Sequence, residues 1–132
     1  MTVTDLLASY TISGGVQATL VDCTSHYFGG YYHVRIQVQA DIPVSIEIFE
    51  STSEFDDAAK RLGSSVRFSR ILEKMAVPEN MIRACRADLM TAFEANVLPY
   101  LLRVTFRESF VHSEYRKSLK SNTLFFQVSG SG

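Results

Sequence analysis

The chain has 132 residues, of which 46% are hydrophobic and 20% are charged, and its formal net charge is −1. These values are typical of one soluble globular domain with a real core, and they exclude a chain that is disordered throughout. No apolar run approaches the roughly 18 residues of a membrane-spanning helix, and no basic segment precedes the first leucines, so we expect neither a membrane span nor a secretory signal.

The first forty residues predict antiparallel hairpins. Two Gly-Gly pairs lie between runs of β-branched and aromatic residues, and Gly-Gly supplies the positive φ angles that two-residue hairpin turns need. A weaker first hairpin is expected over 8–13 and 16–20. A second hairpin is expected to turn at Gly29-Gly30, with Phe28 opposite Tyr31.

The same turn predicts a register for the second hairpin. It places Tyr27 opposite Tyr32 and His26 opposite His33. One face of the hairpin then carries the apolar residues Val21, Cys23, Tyr27, Tyr32, Val34, Ile36, Val38 and Ala40. A slip of one residue in either strand would destroy this separation of apolar and polar faces.

Further strands are expected beyond the second hairpin. Residues 44–49 alternate again, and Pro43 before them marks a strand start, a bulge or an edge. Residues 123–128 are expected to add one strand near the end of the chain. Residues 66–75 fit a strand and a helix equally well.

Helical spacing dominates the second half of the chain. Ser53 is expected to cap a helix that stops at Gly63. From Pro78 onward, an apolar stripe that begins at Ile82 predicts a longer helix, which Pro99 should kink or end. A further short helix is expected within 100–120.

The order of the elements predicts the fold class. Strands precede helices, which indicates an α+β domain: an antiparallel β-meander of about four to five strands with helices packed on one face. No linker divides the chain, so we expect a single domain over 1–128 and a flexible tail over 129–132.

The tip of the second hairpin is the first candidate site. Its sequence, His-Tyr-Phe-Gly-Gly-Tyr-Tyr-His over 26–33, concentrates aromatic residues that are frequent at protein interfaces. The predicted interaction patch consists of His26, Phe28, Tyr31, His33 and Arg35. Two cross-strand histidines could also share a divalent metal, but no third ligand has suitable spacing, so the sequence predicts no metal site and no cofactor.

The charges are divided unevenly between the halves of the chain. Residues 1–59 contain eight acidic residues and one base, whereas 60–132 contain six acidic residues and twelve bases. This division predicts halves that attract each other, within one chain or between copies, or a basic half with an acidic partner. The candidate basic surface, which would contact nucleic acid, comprises Arg67, Arg70, Arg83, Arg86, Arg103 and Arg107.

The sequence lacks the motifs of several well-known classes of enzyme and nucleotide-binding protein. The sequence has no G-x-S-x-G and no P-loop, and His112-Ser-Glu114 lacks the cysteine half of a zinc-deaminase signature. The residues Cys23 and Cys85 form no disulfide framework, so two reduced thiols in a cytoplasmic protein are expected. The sequence therefore predicts no catalytic residues.

The main functional prediction is a non-enzymatic protein-interaction module of the cytoplasm that self-associates. Residues 8–13 carry no charge that would protect a sheet edge, which suits a two-fold dimer whose association slows as salt rises. If 123–128 cover that edge, the chain is a monomer. The alternatives are an enzyme, ligand or metal site near His26, His33 and Arg35, and nucleic-acid binding through the basic half.

Overall fold

The structure is a computed structural model that describes the backbone of residues 5–131 and the side chains of residues 5–120. It contains one antiparallel sheet of five strands. These are β1 (Asp5–Thr11), β2 (Gln17–Asp22), β3 (Ser25–Phe28), β4 (Tyr31–Pro43) and β5 (Ser65–Pro78). The ambiguous segment 66–75 is thus a strand, and the predicted first hairpin is confirmed as β1 and β2.

The long strand β4 organises the sheet. Strands β2 and β3 follow one another along one edge of β4, and β5 pairs with its other edge. Strand β1 pairs with β2 on the outside. The strands therefore form a meander-like sheet with β1 and β5 at its two edges. This sheet, together with the helices, confirms the predicted α+β class.

The second hairpin has the predicted turn but not the predicted register. Phe28 pairs with Tyr31 as expected, and Gly29 takes the positive φ of the turn. His26, however, pairs with Tyr32, because Tyr27 is an extra residue on its strand and forms a β-bulge. The prediction that His26 lies opposite His33 is therefore wrong.

The bulge changes which residues of β2 face the core. Its pairing with β4 is shifted by one residue, so Leu20 lies opposite Val38 and is fully buried. Because side chains alternate along a strand, Val21 then points to the other face. The predicted apolar face is correct along β4 from Val34 to Ala40 but wrong for β2.

Four helices cover one face of the sheet. They are α1 (Thr52–Leu62), α2 (Ile82–Ala92), α3 (Leu98–Leu101) and α4 (Phe106–Ser131). Helix α2 packs against both β4 and β5. None of the helices in the described part of the chain combines the length and the apolar character that a membrane crossing requires.

Two predicted strands do not form. Residues 44–49 leave the sheet and contain a 3₁₀ turn, Ile46–Ile48; Ile48 and Phe49 are buried, and Ile46 is exposed. Residues 123–128 lie within α4, so this helix is long rather than short. Helix α4 also includes the first three residues of the predicted tail, whose flexibility stays a prediction, and Gly132 lies outside the described residues.

Local signals explain the ends of the helices. Ser51, not Ser53, caps α1, because its hydroxyl accepts the hydrogen bond from the backbone N–H of Glu54. Gly63 ends α1 with a positive φ, as predicted. Pro99 has no N–H to donate, and the backbone before it widens into a π-helical turn over Phe93–Val97 that separates α2 from α3.

The core lies between the inner face of the sheet and the helices. Its most enclosed side chains come from both layers: Leu20, Val34, Ile36, Val38, Ile42, Phe93, Leu101, Phe106 and Val111 are all under 2% exposed. The ring of Phe106 stacks on Phe110 and meets Phe68 and Tyr100 edge-on. This aromatic cluster joins α3 and α4 to β5.

A polar contact joins α1 to α4. The Tyr115 hydroxyl donates to Asp57 Oδ2 at 2.6 Å, and Arg61 donates to the same oxygen at 2.9 Å. The bond from Tyr115, followed by that from Arg61, lowers the pKa of Asp57. The same contact raises the pKa of Tyr115.

Tyr115→Phe is therefore expected to raise the pKa of Asp57 toward its ordinary range. A carboxylate with a lowered folded pKa adds stability above its unfolded pKa, and this stability is lost as the pH falls through the folded pKa. The variant should thus be less stable than the natural chain at neutral pH, and the difference should disappear in acid. An NMR titration of the side-chain carboxyl carbons measures the pKa directly. Asp41, whose pKa is lowered by Arg67, is the internal control; an unchanged Asp57 pKa contradicts the contact.

Candidate functional site

The hairpin tip presents aromatic side chains to solvent. Phe28 is 71% exposed, and Tyr27 and Tyr31 are about half exposed. Phe28 and Tyr31 lie opposite each other beside the turn. This part of the predicted interaction patch is therefore both assembled and accessible.

The other members of the patch are divided between the faces of the sheet. His33 and Arg35 alternate with the buried Val34, so they lie on the outer, helix-free face together with Tyr31. His26 shares the opposite face with Tyr32, whose ring it meets edge-on. The metal or ligand site predicted around His26, His33 and Arg35 is thus not assembled, because the bulge separates the two histidines.

The two histidines of the patch each have a hydrogen-bond partner nearby. His26 Nε2 donates to the carbonyl of Gly29 within the turn, and His33 Nε2 donates to Glu73 on β5. Arg35 is half-buried beside them, and its Nε has no hydrogen-bond partner among the described residues. His112, from the discarded deaminase motif, donates to the Ile48 carbonyl and stacks on Phe49, which is a packing role.

The six arginines of the predicted basic surface are not brought together. Arg67 lies on the outer face of β5, where it makes a bidentate contact with Asp41. Arg86 lies on α2, on the other side of the sheet. Arg70 and Arg103 lie over the rings of Phe68 and Tyr100, Arg83 is exposed on α2, and Arg107 lies on α4.

Three of these arginines instead join the two halves of the chain. The pairs Asp22–Arg86, Asp41–Arg67 and Glu47–Arg107 have N···O distances of 2.8, 2.9 and 3.5 Å. In each pair the acid comes from the acidic half and the base from the basic half. The uneven charge distribution is therefore used, at least in part, for contacts within one chain.

The two sheet edges differ in how they are protected. Strand β5 carries Arg67, Arg70, Glu73 and Lys74, and charged side chains discourage pairing with another strand. Strand β1 has no charge after Asp5, and within residues 5–131 it pairs with β2 alone.

The inner side of β1 is fixed in place by its tyrosine. The Tyr10 ring packs on Phe93 with a centroid distance of 5.3 Å, and its hydroxyl donates to Glu94 at 3.0 Å. Burial, and then this hydrogen bond, raise the pKa of Tyr10. Strand β1 is thus held against the core on one side while its outer edge stays open.

A cavity of about 390 Å³ lies between the end of β5 and α2. Its walls are mostly apolar and include Val77, Met81 and Leu89; the thiol-bearing Cys85 and the charged Lys74 and Asp88 also line it. Sequence reasoning missed this cavity because it assigned 66–75 to neither a strand nor a helix. Cys85 is half-buried and its thiol is free.

The wall of this cavity contains a strained residue. Ala76 has a φ of 55°, and it forms with Met75 a bulge in β5 where the pairing with β4 shifts. A residue with a Cβ atom is disfavoured in this left-handed region by about 1–2 kcal/mol. Such strain is concentrated at functional sites in proteins.

Ala76→Gly is expected to raise the free energy of unfolding by about 0.5–1 kcal/mol, because glycine adopts a positive φ without strain. The matched control is Ala87→Gly on the exposed side of α2, which should lower the free energy of unfolding by up to about 1 kcal/mol. Urea unfolding of both variants measures the changes. A destabilised Ala76→Gly variant would show that the residue is not strained.

The tip, the open β1 edge and the cavity are the candidate surfaces within the part of the chain that the structure describes. Comparison with protein-family models, with characterised proteins and with solved structures found no match to this sequence or its fold.

Proposed function

We propose that the chain is a non-enzymatic protein-interaction module that self-associates by pairing β1 with the β1 strand of a second copy. The observation that supports this proposal is the open, uncharged outer edge of β1. Unpaired N–H and C=O groups along an edge are a template for another strand, and beyond Asp5 the strand β1 has no charged side chain that would block it.

A two-fold axis suits this edge. Antiparallel pairing of two identical strands is isologous, so both copies contribute the same residues and the assembly closes as a dimer. The bulge at Leu7 leaves a regular stretch from Ala8 to Thr11 for pairing. Leu6, which is 63% exposed, is apolar surface beside this stretch that a partner strand would cover.

Backbone pairing, not charge, should drive the association. Four acidic residues of the first half, Asp22, Asp41, Glu47 and Asp57, are already paired with arginines of the same chain. The dimer is therefore expected to change little with ionic strength, unlike the salt-sensitive dimer that the sequence predicted. The exposed aromatic tip, with Phe28 and Tyr31, is a second surface on which a different protein partner could dock.

Sedimentation velocity of matched lysine variants tests the proposal. Ser9 on β1 and Ser69 on β5 are both exposed, and each shares a hydrogen bond with a glutamine on the neighbouring strand. Ser9→Lys places like charges near the two-fold axis and is expected to weaken dimerisation at least tenfold, whereas Ser69→Lys should leave it unchanged.

The outcomes separate the alternatives. A concentration-dependent dimer that Ser9→Lys abolishes and Ser69→Lys retains supports the β1 edge. A species of 14.8 kDa at every concentration of the natural chain contradicts self-association. If both variants weaken dimerisation equally, the interface does not lie at the β1 edge.

A further inference from the structure

We propose that the cavity between β5 and α2 binds a small amphipathic acid, a molecule with an apolar chain and a single carboxylate. Its volume of about 390 Å³ lies within the range of about 300–1,000 Å³ typical of small-molecule sites. This site goes beyond the proposed self-association, because it lies beside β5 whereas the β1 edge is at the opposite side of the sheet.

The lining of the cavity fits the apolar part of such a ligand. Val77 is buried at the base, and Met81 and Leu89 contribute flexible and branched apolar walls. Methionine adapts its shape to different apolar ligands because its side chain is unbranched. Met81 is 49% exposed, so part of this wall is apolar surface that an acyl chain would cover.

Lys74 is the group at the cavity that would bind the carboxylate of such a ligand. Lys74 lines the cavity and forms no ion pair within residues 5–120. Its long stem can follow the apolar wall while its ammonium group reaches the head of a ligand at the mouth. Arg70 lies on the same face of β5 but outside the lining, over the ring of Phe68, so the lining carries one cation, Lys74, and one carboxylate, Asp88.

The strained bulge is an independent sign that this wall is a site. Ala76 and its neighbour Met75 interrupt the regular pairing of β5 with β4, and Ala76 itself lines the cavity. A regular strand would avoid both the interruption and the positive φ of Ala76. Bulges of this kind are common beside binding sites, where they shape the local backbone.

Decanoate is the probe for this site, used below its micelle-forming concentration and measured by isothermal titration calorimetry and NMR shift mapping. We expect saturable binding with shifts confined to the residues that line the cavity. Decylamine, which has the same chain and the opposite charge, should bind at least fivefold more weakly. Lys74→Met should remove this preference, whereas Lys60→Met on α1 should not.

Two further measurements test binding in the cavity without depending on the charge of the ligand. Ala84 lines the cavity, and Ala84→Phe is expected to fill it and abolish binding, whereas Ala87→Phe on the same helix should leave binding intact. Bound decanoate should also slow alkylation of Cys85 by iodoacetamide without slowing that of Cys23, the second free thiol. Peptide mass spectrometry measures both rates.

The proposal is overturned by three results. Absence of saturable decanoate binding rejects the site. Binding that Ala84→Phe leaves unchanged puts the ligand outside the cavity. Decylamine that binds as tightly as decanoate shows that the site does not select a carboxylate and rejects an acid as the ligand.

Discussion

Phe106→Ala should lower the free energy of unfolding by about 3–5 kcal/mol. Phe106 is 1% exposed and stands at the start of α4, where its ring contacts Phe68, Tyr100 and Phe110. Its removal leaves a cavity between the sheet and two helices, and each aromatic neighbour loses a partner.

Urea unfolding measures this change as a lower transition midpoint with an unchanged slope. Val104→Ala is the control, because Val104 is 91% exposed and lies in the same connection between α3 and α4. It should change the free energy of unfolding by less than about 0.5 kcal/mol. A loss below about 1 kcal/mol in Phe106→Ala would mean that α4 does not pack on β5.

Arg86→Met should lower the free energy of unfolding by about 2–3 kcal/mol. Arg86 Nη2 contacts Asp22 Oδ2 at 2.8 Å, and the Asp22 side chain is only 13% exposed on the inner side of the sheet. Thr24 donates two hydrogen bonds to this carboxylate, but no other cation contacts it among the described side chains. Removing Arg86 therefore leaves a largely buried charge without a counter-ion.

A second substitution separates the lost pair from lost packing. Asp22→Asn combined with Arg86→Met removes the buried charge and should be less destabilising than the sum of the single changes. Arg67→Met is the matched control: Arg67 and Asp41 are both more than half exposed, so breaking their pair should cost less than about 1 kcal/mol. Equal costs for Arg86→Met and Arg67→Met would contradict the burial of the Asp22 pair.

The broad fold was predictable because its signals are local. Alternation along β4, the turn at Gly29-Gly30 and the stop at Gly63 are each specified by the residues that form them. The strand over 44–49 was not predictable, since its alternating residues also satisfy a turn that packs under the helices. The strand over 123–128 failed for a related reason: its apolar and β-branched residues are compatible with continuation of α4.

The candidate surfaces were less predictable than the fold because they depend on bulges. No residue type marks Tyr27 as a bulge, yet this residue decides that His26 and His33 lie on opposite faces. Likewise, nothing in the sequence marks Ala76 as a positive-φ residue beside a cavity. Conversely, the lack of charge in β1 was visible from the sequence, and β1 is indeed a sheet edge.

Amide hydrogen exchange of β1 as a function of protein concentration tests the central claim most directly. The β1 amides that do not bond to β2 point to the open edge, and pairing with a second copy would protect them. We expect their exchange to slow markedly as the concentration rises through the dimer dissociation constant, while the amides at the centre of β4 stay protected throughout. Outward β1 amides that exchange rapidly at every concentration would contradict self-association through this edge.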